Sequence, residues 1–134
     1  MIKQNWEVSE EEKRRVLSLH ENATKNLYLI KIEHSLTVGI PDLMTILGGV
    51  INLIELKQIN NNTLENWGLN KFQRAFHIKH NQAGGRCFIL VNRDKQSDLK
   101  LLKLGAGGYS HIITQPKTRD GLQKILDAIK NYQN

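Results

Sequence analysis

The sequence predicts an α/β domain: a mixed β-sheet flanked by helices, with the core order αβββαβ followed by further strands and a closing helix. Three observations predict it. Segments 9–26, 69–85 and 117–132 carry helical signals, and short apolar runs rich in β-branched residues lie between them. Two of those runs flank Gly48-Gly49, which marks a hairpin. The 134 residues, 40% of them hydrophobic, suit one core and one domain spanning 1–134.

Taken in order, "SEEEKRRVLSLHENATKN" reads as a helix with Ser9 as N-cap and Glu12 completing a capping box. Its apolar stripe is Val16, Leu19 and Ala23, and a step of one turn back puts Glu12 on the same inward face. "LYLIKIEH" reads as a strand, with Tyr28, Ile30 and Ile32 on one face and Leu29, Lys31 and Glu33 on the other. Pro41 cannot donate to a ladder and marks a strand start before the hairpin. "QINNNTLENWG" reads as a polar loop. "LNKFQRAFHIKHNQAGG" reads as a helix ending at Gly84 or Gly85, with Phe72, Ala75, Phe76 and Lys79 at helical spacing. "RCFILVN" reads as a strand buried on both faces, and "LKLLKL" and "YSHIIT" as two more strands around the turn "GAGG". The last helix is amphipathic, with Leu122, Ile125, Leu126 and Ile129 inward.

Composition excludes some chemistry. The lone Cys87, in the apolar run "CFILV", cannot form an internal disulfide or supply a cysteine zinc site, and reads as a buried inert thiol. No stretch reads as a transmembrane span or secretory signal, so the expectation is a soluble cytoplasmic protein, in the host cytoplasm if phage-encoded. The net charge of +6 favours a polyanionic partner such as nucleic acid.

The hairpin carries the chemistry. With Gly48 and Gly49 as a two-residue loop, Leu47 pairs with Val50, Ile46 with Ile51, and Asp42 falls opposite Glu55. Directly opposed residues hold their Cβ atoms roughly 4.5–5.5 Å apart, and like charges there repel. A divalent cation with hard oxygen ligands, Mg²⁺ or Mn²⁺, resolves that repulsion. Lys57, two residues beyond Glu55, shares its face and can orient an attacking water or stabilise a phosphate under attack.

"GIPD", twelve residues and then "ELK" resemble the signature of the PD-(D/E)XK nuclease superfamily. "IEHSLTVGIPDL", "INLIELK" and "FQRAFHIKHNQAGGRCFILV" look like the small stand-alone VRR-Nuc-type and Holliday-junction-resolvase-like nucleases of phages. The resemblance covers residues 9–104 or so and implies a restriction-endonuclease-like fold. It further implies that Asp42, Glu55 and the Leu56 carbonyl hold Mg²⁺ or Mn²⁺. Lys57 then positions the attacking water, and Gln73 hydrogen-bonds a water or a phosphate. The additional acid of such nucleases maps to Glu12 or to Glu33. The implied activity is metal-dependent endonucleolytic cleavage of DNA by a homodimer, selective for branched DNA such as four-way junctions or acting on duplex. A short chain has little room for a base-reading domain, which favours recognition of structure over sequence. Two other classes stand beside this one: a non-catalytic DNA-binding module of the same fold, and a nuclease subunit that needs a partner chain.

Lys71 and Arg74 lie one helical turn apart beside Gln73 and are expected to contact backbone phosphates, as is Arg86; Trp67 is expected to stack on bases. His77 and His80 are spaced i, i+3 but lack a third ligand nearby and read as a solvated helix face. "GAGG" lacks the strand-then-helix setting of a phosphate loop and reads as a plain turn.

Overall fold

Six strands form one sheet in the order β1-β2-β3-β4-β5-β6. They are β1 (Tyr28–Lys31), β2 (Leu43–Leu47), β3 (Val50–Ile59), β4 (Cys87–Arg93), β5 (Asp98–Gly105) and β6 (Gly108–Pro116). Two helices, α1 (Lys71–Gln82) and α2 (Arg119–Lys130), complete the architecture. The structure is a computed structural model and describes residues 28–32, 39–59, 65–93 and 98–133. The helix expected over 9–26, with Glu12, and the Glu33 and His34 positions lie outside the described residues. Among those described, no helix is long and apolar enough to cross a membrane.

All neighbouring strands pair antiparallel except β3 and β4, which are parallel. A parallel pair needs a crossover. The crossover here contains a 3₁₀ turn (Glu65–Gly68) and α1. β4 is buried at every position but Arg93, as a strand covered on both faces must be. "GAGG" does form the turn of the β5–β6 hairpin, and both strands run further than the apolar pattern suggests.

Strand alternation sorts the core into two faces. Even-numbered Ile54 and Leu56 of β3 join Leu43, Phe88 and Leu90 under Leu122, Ile125 and Ile129 of α2. Odd-numbered Ile59 joins Ile89, Val91, Leu102 and Leu104 on the α1 side, with Ile78 packed on it. Each fully buried Leu or Ile contributes about 1.5–3 kcal/mol. α2 buries the four apolar residues its periodicity selects, and Thr118 caps it by accepting a hydrogen bond from the Gly121 N–H at 2.9 Å.

α1 packs differently from its apolar pattern. Phe72 is 52% exposed, and Ala75 and Lys79 are also exposed. Besides Ile78, the face turned to the sheet holds polar residues. His77 is 0% exposed, which corrects the expectation of a solvated face. Asn81, one turn on, bridges two strands: its Oδ1 accepts from the Cys87 N–H, and its Nδ2 donates to the carbonyls of Cys87 and Leu104.

Arg86 is a second correction. It is expected on the surface to contact phosphate, yet it is 8% exposed. Its Nε donates to Asn52 Oδ1 at 2.7 Å, its Nη1 to the Tyr132 carbonyl at 2.7 Å, and its Nη2 to the Ile129 carbonyl. The guanidinium thus satisfies carbonyls at the C-terminal end of α2, where a cation also meets the negative end of the helix dipole. Those bonds tie α2 to β3, use three of the five guanidinium donors and hold the side chain inside the fold.

Candidate active site

The hairpin register places the acids. Gly48 and Gly49 take φ of 62° and 79°, the left-handed values a two-residue hairpin loop of this type requires. Leu47 pairs with Val50 and the ladder runs to Leu43 opposite Ile54. One further step of that register would set Asp42 across from Glu55; Asp42 itself lies in a bend just outside the ladder. Asp42 then does two things at once. Its backbone carbonyl accepts from the Ile32 N–H at 2.8 Å, and its Oδ2 accepts from the Leu56 N–H at 2.8 Å. One carboxylate oxygen is thereby pinned to the strand that carries Glu55. A carboxylate offers about four lone-pair sites, so this bond does not exhaust it.

The same bond orients the Leu56 carbonyl. In a strand the N–H and C=O of one residue point to the same edge. Since the Leu56 N–H reaches Asp42, its carbonyl also faces that edge, past the start of the β2 ladder. The Asp42 carboxylate and the Leu56 carbonyl thus lie at one edge of β3, with Glu55 the preceding residue of that strand, and all three are hard oxygen donors. Glu55 is 3% exposed, and so is Lys57, on the α1 face of β3. Such donors fit Mg²⁺ or Mn²⁺ far better than a softer metal. Among the described residues no group of three or more His, Cys, Asp or Glu side chains has metal-holding geometry, so a carbonyl and water would have to complete the shell.

A glycine brings α1 to this corner. Gly39 sits at φ 94° in the loop before Asp42, and a Cβ there would stand 2.6 Å from the Phe72 carbonyl. Only a residue without a side chain lets the Gly39–Asp42 loop close on the first turn of α1. That turn holds Gln73. The Gln73 Oε1 accepts from the Asn70 N–H at 3.0 Å while its own N–H donates to Asn70 Oδ1 at 2.9 Å, a reciprocal cap. The carboxamide oxygen is thus used in holding the helix, and its amide hydrogens are the part left to face another ligand.

Electrostatics separate the groups around the acids. Burial, then His80, then Lys57 hold the His77 pKa at about 4, so the ring is neutral near pH 7. Burial, with the Glu55 charge behind it, pushes the Cys87 thiol far up, and Cys87 is the inert buried thiol expected.

The residues expected to touch DNA divide. Lys71 is exposed and its Nζ lies 5.2 Å from the centre of the Phe72 ring. Arg74 is half-buried and donates through Nη1 to the Leu69 carbonyl at 2.7 Å. Trp67, at φ 53°, is half-buried and packs against the Ile59–Leu69 cluster. Lys71 alone of the four is open to a partner along its length. His77 is the residue at this corner that sequence reasoning missed. The available signal is its i+4 spacing from Gln73, continued to Asn81, a polar stripe down one side of a helix.

No protein-family model and no curated protein sequence matches the chain. Among solved structures, the chain is similar to Hjc of Archaeoglobus fulgidus, a Holliday junction resolvase from an archaeal hyperthermophile. The TM-score is 0.51 at 12% identity, over 88% of this chain and 94% of that one. The mixed six-stranded sheet and its helices thus have the restriction-endonuclease-like fold of that resolvase.

Proposed function

We propose that this protein is a divalent-metal-dependent DNA endonuclease selective for branched DNA. The observation that carries the reading is the acid pair. One step beyond the Leu43–Ile54 pair of the hairpin, Asp42 would stand opposite Glu55, and the Leu56 N–H donates to one oxygen of Asp42 at 2.8 Å. Carboxylates placed this close cost stability, and a cation site is the chemistry that compensates. The fold of a Holliday junction resolvase supports the choice of DNA as substrate.

Asp42, Glu55 and the Leu56 carbonyl would hold Mg²⁺ or Mn²⁺. When bound there, the cation supplies charge neutralisation and Lewis acidity at the scissile phosphate. The chain's own groups do the rest. Lys57 brings a positive charge beside the attacked phosphate and orients the water. Gln73 offers amide hydrogens to a phosphate oxygen at the mouth of the site. Lys71, on the exposed turn beside it, meets the DNA backbone. Glu12 and Glu33 remain the two candidates for an additional acid. A homodimer would match the two-fold symmetry of a four-way junction and cut two strands alike.

The test is a labelled panel of four-way junction, flap, duplex and single strand, each with Mg²⁺, Mn²⁺ or EDTA, alongside Asp42→Asn. Asparagine keeps an acceptor for the Leu56 N–H and removes the charge. Metal-dependent cutting of the junction that is lost in Asp42→Asn is the expected result. Cutting of every duplex keeps the nuclease and removes the selectivity. No cutting with either metal, with equal DNA binding in EDTA, turns the reading to a binding module or to a subunit awaiting its partner chain.

A further inference from the structure

On the sheet-facing side of α1, Gln73 is bonded in the helix cap and Asn81 is bonded to β4 and β5. His77, between them, is 0% exposed, and neither ring nitrogen has a hydrogen-bond partner among the described residues. A buried donor or acceptor left in that state costs about 1–3 kcal/mol. An apolar side chain would avoid the cost, and Ile78, Ile89 and Val91 form an apolar cluster on the same side of the sheet. Packing therefore does not account for an imidazole at this position.

Lys57 accounts for it. Lys57 points to the α1 face of β3, is 3% exposed, and lies near enough for its charge to act on the His77 ring. The neutral ring keeps one lone pair, and an ammonium carries three donors, so a partner elsewhere does not use them all. The two groups make no direct hydrogen bond, and a water between them would link them at little cost.

We propose that His77 is a positioning residue for Lys57. Its ring nitrogen accepts a hydrogen bond from a water that in turn accepts from the Lys57 ammonium, and the bridge holds that side chain extended toward Asp42 and Glu55. The functional part of this inference rests on the nuclease reading; the contact itself does not.

The experiment compares wild type with His77→Leu, which removes both nitrogens, and His77→Gln, which keeps an acceptor. The first readout is the ¹H–¹⁵N spectrum of lysine ammonium groups, with Lys57 assigned by its loss in Lys57→Arg. The Lys57 signal is expected to broaden away in His77→Leu and to survive in His77→Gln. The second readout is single-turnover cleavage of the junction beside its Kd in EDTA. Cleavage is expected to fall at least about tenfold in His77→Leu with Kd unchanged, and to recover in part in His77→Gln. The third is urea stability, which should hold or rise in His77→Leu, because two unpaired polar atoms are gone. An unchanged Lys57 signal in His77→Leu overturns the proposal, and so does an unchanged cleavage rate in a protein that cuts. If wild type cuts nothing, the nuclease reading fails, and the ammonium signal still decides the contact. His77→Met carries the same comparison should His77→Leu not fold.

Discussion

Acidification from pH 7 to pH 4 is expected to destabilise the wild-type chain more than its His77→Leu variant. The ring is buried, and its pKa is lowered from 6.5 to about 4, by burial first, then by His80 and Lys57. In the unfolded chain the imidazole takes up its proton near pH 6.5; in the folded chain it does so only near 4. Between those values the unfolded state binds more protons, so stability rises with pH and is lost as the pH falls. Above the unfolded value the ring is neutral in both states and adds no slope. The gap corresponds to about 3 kcal/mol lost between pH 7 and pH 4. Urea denaturation at a series of pH values measures it. With a slope of roughly 1–3 kcal/mol per molar urea, the wild-type midpoint should fall by roughly 1–3 M more than that of His77→Leu. Carboxylates titrate in both proteins and drop out of the difference. A parallel loss of stability in the two proteins would refute the placement of a neutral ring inside the fold.

Arg86→Ala is expected to cost roughly 2–4 kcal/mol in urea, because Asn52 and two carbonyls at the end of α2 lose a charged donor. The salt dependence of DNA binding should stay as it is in wild type; a shallower slope would return Arg86 to the interface. Gly39→Ala should cost about 1–3 kcal/mol by thermal melting, from the left-handed backbone and the Phe72 carbonyl. It should also lower cleavage at temperatures where the protein is still folded, since the Asp42 loop moves off α1; full activity there would disconnect the loop from the site. Lys71→Ala should weaken binding to all DNA alike and reduce the slope of log K against log salt by about 1, read by fluorescence anisotropy. An unchanged slope removes Lys71 from the backbone contacts.

The hairpin was legible down to Leu43 opposite Ile54, because a two-residue glycine loop fixes every pairing below it by arithmetic. α2 was legible because its apolar stripe is also its buried stripe. α1 was not, for the opposite reason. Its sheet-facing side carries Gln73, bonded in the helix cap, the buried His77, and Asn81, which bonds to strands that no local pattern displays. A count of apolar residues selects Phe72, which the fold leaves at the surface. Arg86 failed in the same way: charge reads as surface unless the carbonyls waiting for it are known, and those belong to α2, more than forty residues away in sequence. Trp67 gave no periodic signal: it sits within the 3₁₀ turn at a left-handed backbone angle and packs against the Ile59–Leu69 cluster.

The mixed pairing of β3 has a consequence for the order of assembly. On one edge it meets β2 across two glycines; on the other it meets β4 only after the chain has crossed the sheet through α1. The first is a local closure of the kind that forms in about 1–10 μs, whereas the second carries the entropy of a long loop. The strand segments that carry Asp42 and Glu55 are therefore brought together by a local closure, before the helix that carries His77 packs on the sheet. Substitutions in the Ile46–Ile51 pair should slow folding, and substitutions at Ile89 should mainly speed unfolding. The repulsion of the two acids is then met early, by a chain still open to solvent and salt, rather than late inside a closed core.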